Sequence, residues 1–177
     1  MQIFVSIGQN QELLKMKHTI SMSVYDEPGV MAKISGMFAR RGFNIDTITV
    51  GKTQKEGVSK IVITVIGDDR VIEQVEKQLN KMIDIIKVAE LPAEASVIRE
   101  LCLVKISASD QKKHDEIVKY ANVYKNKIVD ITPKAITVEI VGEPGKIDTF
   151  LELVKPFGIK DISRTGVTGI NRDAPSA

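Results

Sequence analysis

From His18 onward, apolar and polar positions follow two different periods, and the switches between them mark out the elements. Ile20, Met22 and Val24 recur at every second position and predict a strand. Val30, Ile34, Met37, Phe38 and Arg41 recur at steps of three and four and predict a helix, which Gly42 ends. A second strand is expected over 44–50, a polar turn over 51–57 and a third strand over 58–66. The third strand is apolar on both faces from Ile61 onward, as expected at the centre of a sheet with material packed on each side. Gly67-Asp68-Asp69 opens a helix whose face is Ile72, Val75, Leu79 and Met82, and 83–89 reads as the last strand. The order is βαββαβ. Two right-handed crossovers would set both helices on one face of a four-stranded antiparallel sheet, the ferredoxin-like arrangement.

After a linker over 91–97 that contains Leu91-Pro92-Ala93-Glu94-Ala95, the order repeats. Strands are expected over 99–107, 127–131, 135–141 and 158–163, with helices over 110–122 and 144–155. Moving the first half forward by 75 positions lays Gly67 on Gly142, Ile72 on Ile147, Val75 on Phe150, Leu79 on Val154 and Met82 on Phe157. Two copies of one fold account for this, although any two βαβ-type segments can be slid into a similar register. The expected class is α+β, two tandem ferredoxin-like domains over 18–90 and 98–165. An extension over 1–17, with Ile3-Phe4-Val5-Ser6-Ile7 as a possible short strand, precedes them, and a polar tail over 166–177 follows. Each half is small enough that packing between halves or dimerisation is expected.

Composition narrows the chemistry. The chain has 177 residues and a formal net charge of +2 with both signs interspersed, which gives no basic field for nucleic acid or an anionic membrane surface. One cysteine, Cys102, excludes an intrachain disulfide, and one Cys with two His residues, His18 and His114, supplies no Cys/His structural zinc site. No apolar run is long enough to span a bilayer, and a cytoplasmic location is expected. Cys102 sits mid-strand among Leu101, Leu103 and Val104, the setting of a buried, inert thiol. No P-loop, nucleophile elbow or His-paired nucleophile is present, so no catalytic and no metal-binding residues are expected.

The candidate chemistry lies at the first strand-to-helix turn, Asp26-Glu27-Pro28-Gly29. A backbone amide free of a side chain at a helix start, where N–H groups and the helix dipole favour an anion, suits a small carboxylate. The equivalent turn in the second half, Ser107-Ala108-Ser109-Asp110-Gln111, carries a good N-cap and no glycine. Gly29 and its neighbours would donate to the carboxylate of an amino acid, Asp26 would accept from its ammonium, and the Asn44 amide could do either. The same residues are also ordinary helix-start and helix-stop chemistry, and spacing does not decide between the two readings. Lys33, Arg40 and Arg41 read as a solvated helix face and end. Met22, Met31 and Met37 read as core or interface filler.

The run Tyr25-Asp26-Glu27-Pro28-Gly29-Val30-Met31, followed by Gly36-Met37-Phe38-Ala39-Arg40-Arg41-Gly42-Phe43-Asn44-Ile45, resembles the ACT domain of acetohydroxyacid synthase (acetolactate synthase) small regulatory subunits. Glu73 to Lys81, Arg99-Glu100-Leu101, Leu103-Val104-Lys105 and Gly166-Val167 look like later stations of the same family, so the resemblance covers about residues 18 to 172. It implies a non-catalytic subunit that binds a branched-chain amino acid, usually valine, between two ACT domains of a homodimer. It also implies a separate catalytic large subunit, which carries thiamine diphosphate, magnesium and FAD, is activated by the small subunit, and becomes subject to feedback inhibition. No cofactor is then expected on this chain. By position, the resemblance puts Asp26, Pro28, Gly29, Val30, Asn44 and Ile45 at the effector. Asp26 departs from the asparagine common there, and an acid at that place favours the ammonium and repels a carboxylate. Alternatives are an ACT-type sensor of a different biosynthetic enzyme, an RNA-binding sheet, which lacks its aromatic platform here, and an enzyme using Cys102.

Overall fold

The computed structural model describes residues 16–172. The expected strand at 3–7 lies outside them. The elements, in chain order, are β1 (Met16–Tyr25), α1 (Val30–Arg40), β2 (Ile45–Lys52), β3 (Val58–Gly67), α2 (Asp69–Leu79), β4 (Ile85–Glu90), β5 (Ser96–Ser107), α3 (Gln111–Val123), β6 (Lys127–Thr132), β7 (Ala135–Gly142), α4 (Pro144–Val154), β8 (Ile159–Arg164) and β9 (Thr168–Asn171). A 3₁₀ turn, Lys155–Phe157, extends α4. The described residues form two compact units, one of Ile98–Gly166 and one of 16–97 together with 167–172.

In the first unit an antiparallel sheet runs β2-β3-β1-β4. Alternation sends Ile20, Met22 and Val24 of β1 and Ile61, Ile63 and Val65 of β3 to one face. There they meet Val30, Ile34, Met37 and Phe38 of α1 and Ile72, Val75 and Leu79 of α2, all buried. Burying side chains of this size contributes about 1.5–3 kcal/mol each, before the entropy cost of ordering the chain. Asp68 caps α2, its Oδ1 accepting the Val71 N–H at 2.9 Å. The turn after α1 is set by Gly42 at φ +69° and by Phe43, whose ring packs edge-on against Phe38 at 6.2 Å.

The opposite face of β3 is closed as well, with Val58, Val62 and Thr64 buried. Here the structure departs from the expected tail over 166–177. Val167 is buried, β9 is a strand that pairs with β5, and the chain returns to the first unit. Backbone groups draw it there: Thr49 Oγ1 donates to the Val167 carbonyl at 2.7 Å, and Arg172 N–H donates to the Ala95 carbonyl at 2.8 Å. The expected linker over 91–97 is likewise partly structure. Leu91 is buried with its N–H on the Thr19 carbonyl, and β5 already begins at Ser96. Met16 and Lys17, expected in the extension, belong to β1 and pair with Gly67 and Ile66.

The second unit repeats the arrangement with strand order β6-β7-β5-β8. Cys102, Val104 and Ile106 of β5 and Ile136, Val138 and Ile140 of β7 face Ile117 and Ala121 of α3 and Ile147, Phe150 and Val154 of α4. The two glycines brought together by the 75-residue shift are equivalent in space. A Cβ at Gly67 would stand 2.8 Å from Val71, and one at Gly142 would stand 2.8 Å from Lys146, four residues on in each case. Glu100, buried at the start of the unit, is held by both nitrogens of the Arg164 fork at 2.7 Å, and Arg164 also reaches Asp148.

Candidate functional site

The first strand-to-helix turn is anchored by its backbone. Tyr25 N–H donates to the Asp84 carbonyl at 3.0 Å and Asp26 N–H to the Gly57 carbonyl at 2.9 Å, so the chain leaves β1 in a fixed direction. Gly29 occupies the N-cap position of α1 at φ +88°, ψ −8°, in the left-handed region that favours glycine. No described side chain caps α1, whereas Asp110 caps α3 by accepting the Lys113 N–H at 2.9 Å. Of the two equivalent turns, the first therefore presents the bare helix start. A Cβ at Gly29 would meet nothing within 4 Å, so the space above the glycine is open. Asp26, Glu27, Pro28 and Gly29 are all exposed.

The named residues do not gather at one point. Asp26, Pro28 and Gly29 lie at the N-terminal end of α1. The Val30 side chain is turned into the core, 3 % exposed, so only its backbone faces the turn, with its N–H donating to the Glu27 carbonyl at 3.4 Å. Asn44 is exposed beyond the C-terminal end of α1, and the half-buried Ile45 packs against the core and pairs with Val65 at the start of β2. Eleven residues of helix separate the two groups, roughly 16 Å at 1.5 Å per residue. Within one chain, Gly29 and Asn44 cannot grip the same small molecule.

Three features escaped sequence reasoning. Lys33 is no free solvated cation, because its Nζ reaches both carboxylate oxygens of Asp84 at 2.9 Å, and Asp84 is buried. The same Asp84 holds Tyr25 through its carbonyl, so one residue after α2 braces both α1 and the turn before it. Arg40 and Arg41, read from spacing as a helix end, line a cleft with Lys33, Met37, Gln78 and Met82. Only the α1–α2 packing brings these positions together. His18 donates or accepts through Nδ1 at 2.7 Å from Glu90. Burial pushes the Cys102 thiol up, away from the thiolate that nucleophilic chemistry needs. Among the described residues, no group of three or more His, Cys, Asp or Glu could hold a metal ion, and no helix is long and apolar enough to cross a membrane.

Comparison with known proteins follows both units. Residues 20–87 match the family model described as the AHAS small subunit-like ACT domain, and residues 99–173 match the one described as the small subunit of acetolactate synthase. The chain is 50% identical over 155 residues to a probable acetolactate synthase small subunit of Methanothermobacter thermautotrophicus, covering 88% of this chain and 92% of that one. It is 41% identical over 168 residues to the acetolactate synthase small subunit of Aquifex aeolicus, covering 93% and 88%. Its fold is similar to the crystal structure of the small subunit from Thermotoga maritima, with a TM-score of 0.83, 38% identity, and 90% and 99% of the two chains covered.

Proposed function

The chain belongs to the acetolactate synthase small-subunit family, a family of non-catalytic regulatory subunits, and from that premise we propose that it is a feedback sensor for a branched-chain amino acid, valine first. The effector sits where two protomers meet. The observation that carries this reading is the position of the two halves of the site at opposite ends of α1. Two copies related by a two-fold axis, with their α1 helices antiparallel, bring the Gly29 end of one beside the Asn44 end of the other, twice per dimer. The backbone N–H groups of the uncapped helix start at Gly29 take the carboxylate, Asp26 takes the ammonium, and Asn44 of the second copy adds its amide, with Pro28, the Val30 backbone and Ile45 as walls. β2 is an edge strand of its sheet, and pairing with a second β2 would remove that exposed edge.

Thiamine diphosphate, magnesium and FAD belong, in this reading, to the catalytic large subunit, which the small subunit activates in the cytoplasm. Effector binding shifts that complex by its difference in affinity between active and inhibited forms, about 1–3 kcal/mol in typical systems. Valine and leucine differ by one methylene, worth about 1–3 kcal/mol of discrimination. The test is calorimetric titration of the chain with valine, leucine and isoleucine, alone and with its large subunit. Saturable binding with inhibition of acetolactate formation is expected. Binding of none of the three, with stimulation of the large subunit intact, would overturn the sensor role.

A further inference from the structure

The cleft between α1 and α2 measures about 500 Å³ and is lined by Lys33, Met37, Arg40, Arg41, Gln78 and Met82. Its two ends differ in charge. At one end Lys33 is neutralised by Asp84 through both oxygens. At the other, Arg41 donates to the neutral Gln78 Oε1 at 2.7 Å, and among the described residues neither Arg40 nor Arg41 has a carboxylate partner. Between them lie Met37 and Met82, whose thioethers adapt to irregular apolar shapes. Ile83, the next residue along the chain, is 89 % exposed. Two guanidinium forks beside the apolar Met37 and Met82, with the exposed Ile83 following Met82 in the chain, complement an acidic side chain next to an apolar anchor.

The occupant must come from a macromolecule. Small-ligand pockets bury most of their ligand, and here Lys33, Arg40 and Arg41 stand exposed, so a free metabolite would remain half in water. A protein surface closes such a cleft from above. We propose that this cleft is where the catalytic large subunit docks, through an acidic residue seated on Arg40 and Arg41 and an apolar neighbour seated on Met82 and Ile83. The proposal rests on the family reading, which supplies the partner, and it locates the contact. It also puts contact and effector on one rigid element, since α1 begins at Gly29 and ends at the two arginines. In the proposed dimer an effector lies against each end of α1, Gly29 at one and Asn44 just past the arginines at the other, so a shift of the helix on binding reaches the docking contact.

The test uses the full chain and the large subunit of the same organism. Arg40→Glu, with Arg41→Glu added in a second variant, and Ile83→Asp are compared with the unaltered chain by surface plasmon resonance against the immobilised large subunit over a range of salt. The Arg40 side chain is exposed and makes no hydrogen bond among the described residues, and Ile83 is largely in solvent, so these two single variants are expected to fold, as circular dichroism will show. Each should weaken association by roughly tenfold or more, and Arg40→Glu should flatten its salt dependence. Valine binding by the chain alone should be unchanged. Unchanged association in folded variants overturns the docking site, and so does failure of the unaltered chain to associate. A change in the chain's own oligomeric state by light scattering overturns it in favour of a second copy. Association that responds to these variants in a chain that binds no amino acid removes the sensor reading and leaves the docking site standing.

Discussion

Replacing Gly29 by aspartate perturbs the proposed effector site in two ways that the structure separates. The residue sits at φ +88° with open space above it, so an added side chain meets no protein atom, and the cost to the fold is the left-handed backbone alone, about 1–2 kcal/mol. The cost to the effector is larger. A hydrogen bond to a charged group contributes about 1.5–3 kcal/mol, which is roughly tenfold to a hundredfold in affinity, and a carboxylate set beside the effector's own adds repulsion. Asn44→Ala attacks the same ligand from the far end of α1. Equal mixing of the two variant chains, after dissociation and reassociation, makes half of the dimers mixed. Each mixed dimer joins the intact Gly29 of one chain to the intact Asn44 of the other, so about a quarter of the wild-type sites should return. Calorimetric stoichiometry with valine reads this directly. Neither pure variant should bind at the wild-type concentration. If mixing restores no sites while each variant remains a folded dimer, the two residues do not share a ligand across an interface, and the reasoning from the length of α1 is wrong.

Other consequences are as direct. Asn44→Ala should weaken valine more than Lys33→Ala does, whereas Lys33→Ala should lower the melting temperature, because it leaves the buried Asp84 carboxylate without its cation. Lys33 is more than half exposed, so water softens that loss to about 1–2 kcal/mol, and equal effects of the two variants on valine would take Asn44 out of the site. Burial, and then the charge of Glu90, push the Glu76 carboxyl up, so the folded chain holds that proton more tightly than the unfolded one. Its contribution to stability is present in acid and lost as the pH rises through the raised value. Glu76→Gln should therefore melt higher than wild type near neutral pH and no higher in acid, and identical melting curves at both would refute the assignment. Cys102, buried and with its thiol pushed up, should resist alkylation in the native chain and react promptly in urea. Rapid native labelling would contradict its place in the core.

Much of the fold could be read from periodicity alone. The alternation of Ile20, Met22 and Val24 and the helical stripes at Val30–Phe38 and Ile72–Leu79 each report a local conformation in which one face must leave water, and the observed cores are built from those residues. The 75-residue correspondence survives for the same reason, down to two glycines that face the same position of the following helix. The glycine turn and the asparagine after α1 were also legible as candidates, because left-handed backbone and helix ends restrict which residues can stand there.

Other features needed the chain to close on itself. Thr168–Asn171 is too short and too polar to announce a strand, its partner lies some seventy residues earlier on β5, and Val167 just before it meets Thr49 more than a hundred residues earlier. Asp84 looks like one more surface acid until α1 brings Lys33 to it. The arginine cleft exists only between two helices, and the roughly 16 Å between the two halves of the proposed effector site appears only once α1 has its length in space. The sequence by itself determined which faces are buried, since solvent exclusion acts on each residue's own side chain. The tertiary structure decided which distant polar groups meet, since those contacts depend on where the backbone carries them.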